Sequence, residues 1–294
     1  MTTPRRAYPS DLSGARWALI EPIVAGWRAA RAEQSLGINQ PIRDLRDIVN
    51  AILYVNRTGM AWAYLPHDFP PPSTVYWYYA EWEKDGITET IHEMLRRRVR
   101  EAAGRPAEPT AALADAQSVK TSSNVPEASQ GIDAGKKIKG TKRHIVTDTL
   151  GLLLVVMVTA ASVQDTTGGR ALIDKLAARH PRVVKAWVDA GYKRSVIERG
   201  AAHGIDVEVV SKDPDQKGFK PLPKRWAVER TFGWMVLHRR PVRDFETLPE
   251  RSVTMIHWVM IDNMYRRLTG EFTPTWRIPA PVDQLESGQL RLER

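Results

Sequence analysis

The hydrophobic repeat changes once along this chain of 294 residues, near residue 108, and that change sets what the chain can fold into. From Leu12 onward, Trp17, Ile20, Val24 and Trp27 recur at three- and four-residue steps, the spacing of one buried helix face. Leu45, Ile48, Val49 and Ile52 predict a second helix, with Gly59 placed as its C-cap. After the Pro70-Pro71-Pro72 break, Ser73 is placed to cap a third helix, Thr74 to Lys84, stopped by Gly86. A fourth presents Ile91, Leu95 and Val99 to a core and ends in Arg96, Arg97, Arg98 and Arg100. Short helices with a Pro-rich turn between the second and third have the pattern of a helix-turn-helix module. Its third helix carries Tyr76, Trp77, Tyr78, Tyr79 and Trp82; some of these must pack inside, and Trp77 and Tyr78 are expected to face DNA.

Gly104, Arg105, Pro106 and Pro109 mark a linker, after which the pattern becomes β-type. Ala111 to Ser118, His144 to Thr149 and Leu152 to Thr159 read as three strands, the last two joined by a tight turn at Leu150 and Gly151. A helix from Asp165 to Arg179, a strand from Val183 to Val188, a helix from Ser195 to His203, a strand from Val207 to Val210 and a long helix from Pro223 to Arg239 follow. Three strands, then alternating helix and strand, is the order of a ribonuclease H-like sheet. The expected class is α+β: a helical, helix-turn-helix-like DNA-binding domain over residues 1–108, a ribonuclease H-like mixed-sheet catalytic domain over 109–270, and a tail over 271–294.

Charge then points to the partner. Lysine and arginine number 43 against 34 acidic residues, a net charge of +9, which favours a polyanion such as nucleic acid. With no cysteine there is no disulfide framework, thiolate nucleophile or Cys-based zinc site. The N-terminus has no apolar signal region, and the longest apolar stretch, Leu150 to Ala161, is short of the roughly 20 residues a membrane helix needs. The expectation is a soluble, unprocessed cytoplasmic protein with no membrane contact.

Two aspartates interrupt apolar strands: Asp115 in Ala-Leu-Ala-Asp-Ala, and Asp189 in Ala-Trp-Val-Asp-Ala-Gly-Tyr. Aspartate is depleted in strands. Either one alone could be a turn or cap residue, and Gly191 suits such a turn at Asp189. On neighbouring strands the pair would repel unless a cation lay between them. Glu229 is the third candidate; at 100° per residue it shares a helix face with Arg225, Gly233, Val236 and Arg240. An Arg225–Glu229 pair on a solvated face is the plainer alternative. Gly233 is costly inside a helix, and a close approach there by backbone or ligand would account for it. Three carboxylates without cysteine favour a hard ion, Mg2+ or Mn2+. Two such ions per site suit phosphoryl transfer on DNA.

Taken together, Asp115, Asp189 and Glu229, with the phrases Val-Asp-Ala-Gly-Tyr and Arg-Trp-Ala-Val-Glu-Arg-Thr-Phe-Gly-Trp, resemble the DDE transposases of bacterial insertion sequences, specifically the insertion sequence 5 family. The N-terminal half agrees through Asn50-Ala51-Ile52-Leu53-Tyr54, Arg57-Thr58-Gly59, Trp62, Leu65-Pro66 and Phe69-Pro70-Pro71-Pro72-Ser73-Thr74-Val75-Tyr76. The resemblance runs from about Tyr8 to Gly270. It implies a ribonuclease H-like core that cuts transposon ends and joins them to target DNA within a synaptic oligomer, a homodimer or larger, acting on the bacterial nucleoid. Related transposases often carry Tyr, Arg, Glu and Lys in order on the last helix. Arg225 and Glu229 fit, but Leu222 and Val236 stand at the tyrosine and lysine positions, so Arg239 and Arg240 are the expected phosphate-binding substitutes.

Lys136, Lys137, Lys139, Lys142 and Arg143 crowd five positive charges together in a run that fails the phosphate-loop pattern, and read as a loop for the DNA backbone. Asp133, Asp148 and Asp165 read as a solvated, a turn and an N-cap residue respectively. Two rival functions share these features: a catalytically retired DNA-binding protein, and a metal-dependent nuclease without strand transfer.

Overall fold

The computed structural model describes residues 5–34, 43–189, 191–192, 194–210 and 225–274. Four helices open the chain: α1 (Gly14–Gln34), α2 (Leu45–Thr58), α3 (Pro72–Lys84) and α4 (Ile87–Ala102). The Asp44 carboxylate caps α2 by accepting from Arg46 N, and Gly59 ends it at φ 76°. That left-handed cap also lets the chain touch Arg239, whose Cβ would stand 3.0 Å from a Cβ at Gly59. In α3 the cap position falls on Pro71 rather than Ser73. Pro72 takes the first helical position, where a missing N–H costs nothing, and this starts the helix early.

The second half is β1 (Ala111–Lys120), β2 (Gly131–Asp133), β3 (Ile138–Asp148), β4 (Leu153–Ala160), α5 (Asp165–Arg179), β5 (Lys185–Val188), α6 (Arg194–Ala202), β6 (Asp206–Val209), α7 (Trp226–Val236) and α8 (Pro249–Thr269). The strands form one mixed sheet. β3 is antiparallel to β1, β2 and β4, while β1, β5 and β6 run parallel. The expected strands and α5 are present, and the short β2 is added beside the start of β3. Helix α7 stops at Val236, short of the expected Arg239, and a 3-10 turn, Arg240–Val242, follows with Pro241 inside it. The expected start at Pro223, and Leu222, lie outside the described residues.

Alternation along β1 and β3 splits the core. Ala112, Ala114 and Val146 face a cluster with α5 and α6, whereas Leu113 and Ile145 face the side of α7 and α8. That second cluster continues without a break into α1–α4. Helix α8 is the link: Trp258 packs on Trp82 with ring centroids 6.2 Å apart, and Asn56 Nδ2 donates to Met255 O at 3.0 Å. No sequence expectation covered α8, because it is buried on nearly every side and shows no single apolar face. Among the described residues no helix is long and apolar enough to cross a membrane.

Candidate active site

Strand register brings the two aspartates together. Ala111 pairs with Lys185 and Leu113 with Trp187, an offset of 74 positions, and 74 positions also separate Asp115 from Asp189. Both therefore emerge at one level on adjacent parallel strands, facing the side covered by α7. Asp115 Oδ1 accepts from Ala116 N at 2.7 Å, while Oδ2 lies 3.5 Å from Arg225 Nη2. Burial, with the Asp189 charge adding to it, pushes the Asp115 carboxyl up to about 6 against the partial relief of its N–H bond and Arg225. Asp189 Oδ1 accepts from Gly191 N at 2.9 Å, so the turn role foreseen for it coexists with a place beside Asp115.

Glu229 reaches the same spot from α7. Arg225 Nη2 stands 3.8 Å from Glu229 Oε1 as well as 3.5 Å from Asp115 Oδ2, so one guanidinium nitrogen joins the helix acid to the strand acid. The Asp115 side chain is 13% exposed and that of Glu229 41%, which leaves the site open on its helix side. Gly233 has open space where a Cβ would be, so no close approach accounts for it.

These three carboxylates do not form the one acid and histidine group among the described residues whose ligand atoms all lie within 4.8 Å of one another. That group is Glu93, Glu108 and His180, well away on α4 and the neighbouring turns. Arg96 donates to both carboxylates and Arg97 does the same, so it is a neutralised ion-pair network holding α4 to the start of β1. The Asp115–Asp189–Glu229 donors are all hard oxygens, and two of them repel, which suits a hard divalent cation.

The basic run divides. Lys136, Lys137 and Lys139 are exposed between β2 and the start of β3, with Lys136 Nζ 3.3 Å from Ala116 O beside Asp115 and Lys139 paired to Glu127 at 2.7 Å. Lys142 and Arg143, expected in the same exposed loop, are corrected: β3 runs through them, and they are 5% and 3% exposed. Lys142 Nζ donates to Val163 O and Asp165 Oδ1, each at 2.8 Å, on one face; Arg143 donates to Pro241 O at 2.6 Å on the other. Arg240 is likewise withdrawn, donating to Glu246 Oε1 and to Met60 O, each at 2.8 Å, whereas Arg239 is exposed.

Trp77 is 38% exposed, but Tyr78 is 8% exposed and packs among Trp27, Trp77 and Trp82, a correction to its expected outward role. Successive helix residues diverge by about 100°, so one of the two had to turn inward. Asp148 plays the turn role foreseen, accepting from Leu150 N and Leu152 N at 2.8 Å, and also pairs with Arg100. Asp133 is held by Ser118 Oγ at 2.5 Å instead of being solvated. Asp165 is the first residue of α5, one position inside the cap at Gln164. Sequence reasoning missed that Asp165 Oδ2 and Asp189 Oδ1 both approach Gly191 and that Tyr192 N donates to Asp189 O at 3.1 Å; the only signal was the Gly191-Tyr192 step after Asp189.

Residues 12–92 match the family described as "Putative transposase of IS4/5 family", and residues 106–246 match the family described as "Transposase DDE domain". A relative from Burkholderia cepacia, named "Putative transposase for insertion sequence element IS402", is 37% identical over 111 residues, covering 34% of this chain and 51% of that protein. The chain thus spans about half the length of the curated relative it matches.

Proposed function

Since this chain belongs to the DDE transposases of the insertion sequence 4/5 type, we propose that it cuts the ends of an insertion sequence and joins them to target DNA by metal-dependent phosphoryl transfer. The observation that carries this reading is the shared 74-residue offset, which sets Asp115 beside Asp189, with Arg225 tying Glu229 to Asp115. The order β4-β3-β1-β5-β6, with β3 antiparallel to β1, supports a ribonuclease H-like assignment of the sheet.

Asp115, Asp189 and Glu229 would hold Mg2+ or Mn2+, two ions per site. When bound, such ions lower the pKa of an attacking water or hydroxyl and neutralise charge on the leaving oxygen. The residues of the chain itself position the DNA. Arg225, the only cation within 4 Å of both Asp115 and Glu229 among the described residues, can swing onto a phosphate once those acids are otherwise compensated. Lys136, Lys137 and Lys139, with Arg239, supply exposed charge for the backbone on either side. In the helices before residue 108, Trp77 is an exposed aromatic suited to contacting the inverted repeats, with Arg31, held by Glu81 and Asp85, over its ring at 5.5 Å. We place the working form as a homodimer or larger synaptic oligomer on DNA in the bacterial cytoplasm.

A cleavage and joining assay on labelled DNA with the inverted repeats that flank the gene tests this reading. The wild type should release and join ends with Mg2+ and do neither with a chelator. Nicking without joined product would favour a nuclease, and binding without cleavage a retired DNA-binding protein.

A further inference from the structure

One lysine of the exposed basic run is set apart from its neighbours. Asp115 Oδ1 accepts from Ala116 N at 2.7 Å, and Lys136 Nζ donates to Ala116 O at 3.3 Å. In an extended strand the N–H and C=O of one residue point to the same edge. The carboxylate and the ammonium are therefore held on one edge of β1, by the two polar groups of a single residue. No strand pairs with that edge at this level among the described residues: β1 pairs with β5 from Ala111 to Leu113, and β5 ends at Val188, directly before Asp189. Lys136 thus stands at the opening between the two strands from which both aspartates emerge.

The turn that carries Lys136 is fixed independently. Asp133, at the end of β2, accepts from Lys136 N through Oδ1 at 3.1 Å and from Ser118 Oγ on β1 through Oδ2 at 2.5 Å. Lys137 then takes φ 54°, the only non-glycine in the left-handed region among the described residues, where its Cβ is crowded. The other lysines of the run are satisfied or turned elsewhere: Lys139 pairs with Glu127, and Lys142 with Asp165. Lys136 has no carboxylate within ion-pairing distance among the described residues, and its one hydrogen bond leaves two of three ammonium donors unused. Holding so long a side chain in one place costs rotamer freedom. An ordered cation without a counter-ion, at the mouth of an acid site, is completed by an anion arriving there.

We propose that Lys136 contacts a non-bridging oxygen of the very phosphate that is cut, whereas Lys137 and Lys139 meet the DNA backbone at large. This rests on the transposase reading above and adds a substrate-touching residue from the β2–β3 turn, an element that carries none of the three acids. A compact ammonium with two open donors suits an anionic phosphate oxygen, and its grip depends on the charge of that oxygen.

Cleavage by the wild-type chain in Mg2+ first maps the cut position on DNA with the flanking inverted repeats; if nothing is cut, the transposase reading fails by itself, whatever Lys136 does. Equilibrium binding is then measured with Ca2+ as the ion, on uncut end DNA carrying either the ordinary phosphate or an uncharged methylphosphonate at that position. Wild type should prefer the phosphate. Lys136→Gln should lower that preference at least about fivefold, and Lys136→Arg should keep most of it. Lys137→Gln should weaken binding to both DNAs alike. An undiminished preference in Lys136→Gln overturns the assignment, as does an equal loss of preference in Lys137→Gln or equal binding of the two DNAs by wild type. A thermal melt checks each variant, and Lys136→Met takes the place of Lys136→Gln should the latter fail to fold.

Discussion

Arg225 and Asp115 lie 110 residues apart in the chain, yet Nη2 of the arginine stands 3.5 Å from Oδ2 of the aspartate. That contact ties the N-terminal end of α7 to the middle of the sheet and sets Glu229, one turn further on, against the same guanidinium as Asp115.

Asp115→Asn is expected to lose DNA cleavage and to gain stability when divalent ions are absent. Its folded carboxyl titrates near 6, above the ordinary carboxylate range, so the unfolded chain ionises first as pH rises. Ionisation then costs the native state, and stability falls across the window from about pH 4 to about pH 6. The asparagine variant should lack that fall and be more stable at pH 7 by up to about 3 kcal/mol. Denaturant melts at pH 4.5 and pH 7 check this; an equal pH response in both proteins contradicts it.

Glu229→Gln should abolish both cleavage and joining, because a hard-ion site loses a charged oxygen. Glu198→Gln should remain active: Glu198 is 60% exposed and, among the described residues, pairs only with Arg194 on α6. Equal activity of the two variants in the joining assay would remove Glu229 from the mechanism.

Neutralising Lys136, Lys137 and Lys139 together should flatten the salt dependence of DNA binding by up to about 0.9 log units per lost phosphate contact, with little change in site preference. An unaltered slope returns these lysines to plain surface charge.

Arg240→Ala should behave differently, lowering stability by about 2–4 kcal/mol, because it strands the buried Glu246 carboxylate and frees Met60 O. Chemical denaturation reads this directly; a variant as stable as wild type but weakened in DNA binding would put Arg240 back on the phosphates.

Trp77→Ala should weaken binding of the terminal repeats with a cost to folding of about 1 kcal/mol or less, whereas Tyr78→Ala should destabilise the helical region by about 3 kcal/mol or more. Binding isotherms and melts of the pair separate surface from core.

Periodicity alone determined a great deal here. The four leading helices, the three antiparallel strands and α5 follow from residues close in sequence, since a helix face repeats every three or four residues and a strand face every two. The candidate acids were legible too, because a carboxylate inside an apolar run is a local anomaly. Only the tertiary structure decided which charges meet solvent. Lys142, Arg143 and Arg240 sit in basic runs like their exposed neighbours, but each finds its partner far along the chain, at Asp165, Pro241 and Met60. Helix α8 escaped notice because neighbours on nearly all sides bury it and leave no polar face to mark its period. The Asp165–Asp189 approach at Gly191 depends on α5 and β5 packing across the sheet. Local pattern encodes which face of an element is apolar; the burial of a charge depends on a partner brought near only by folding.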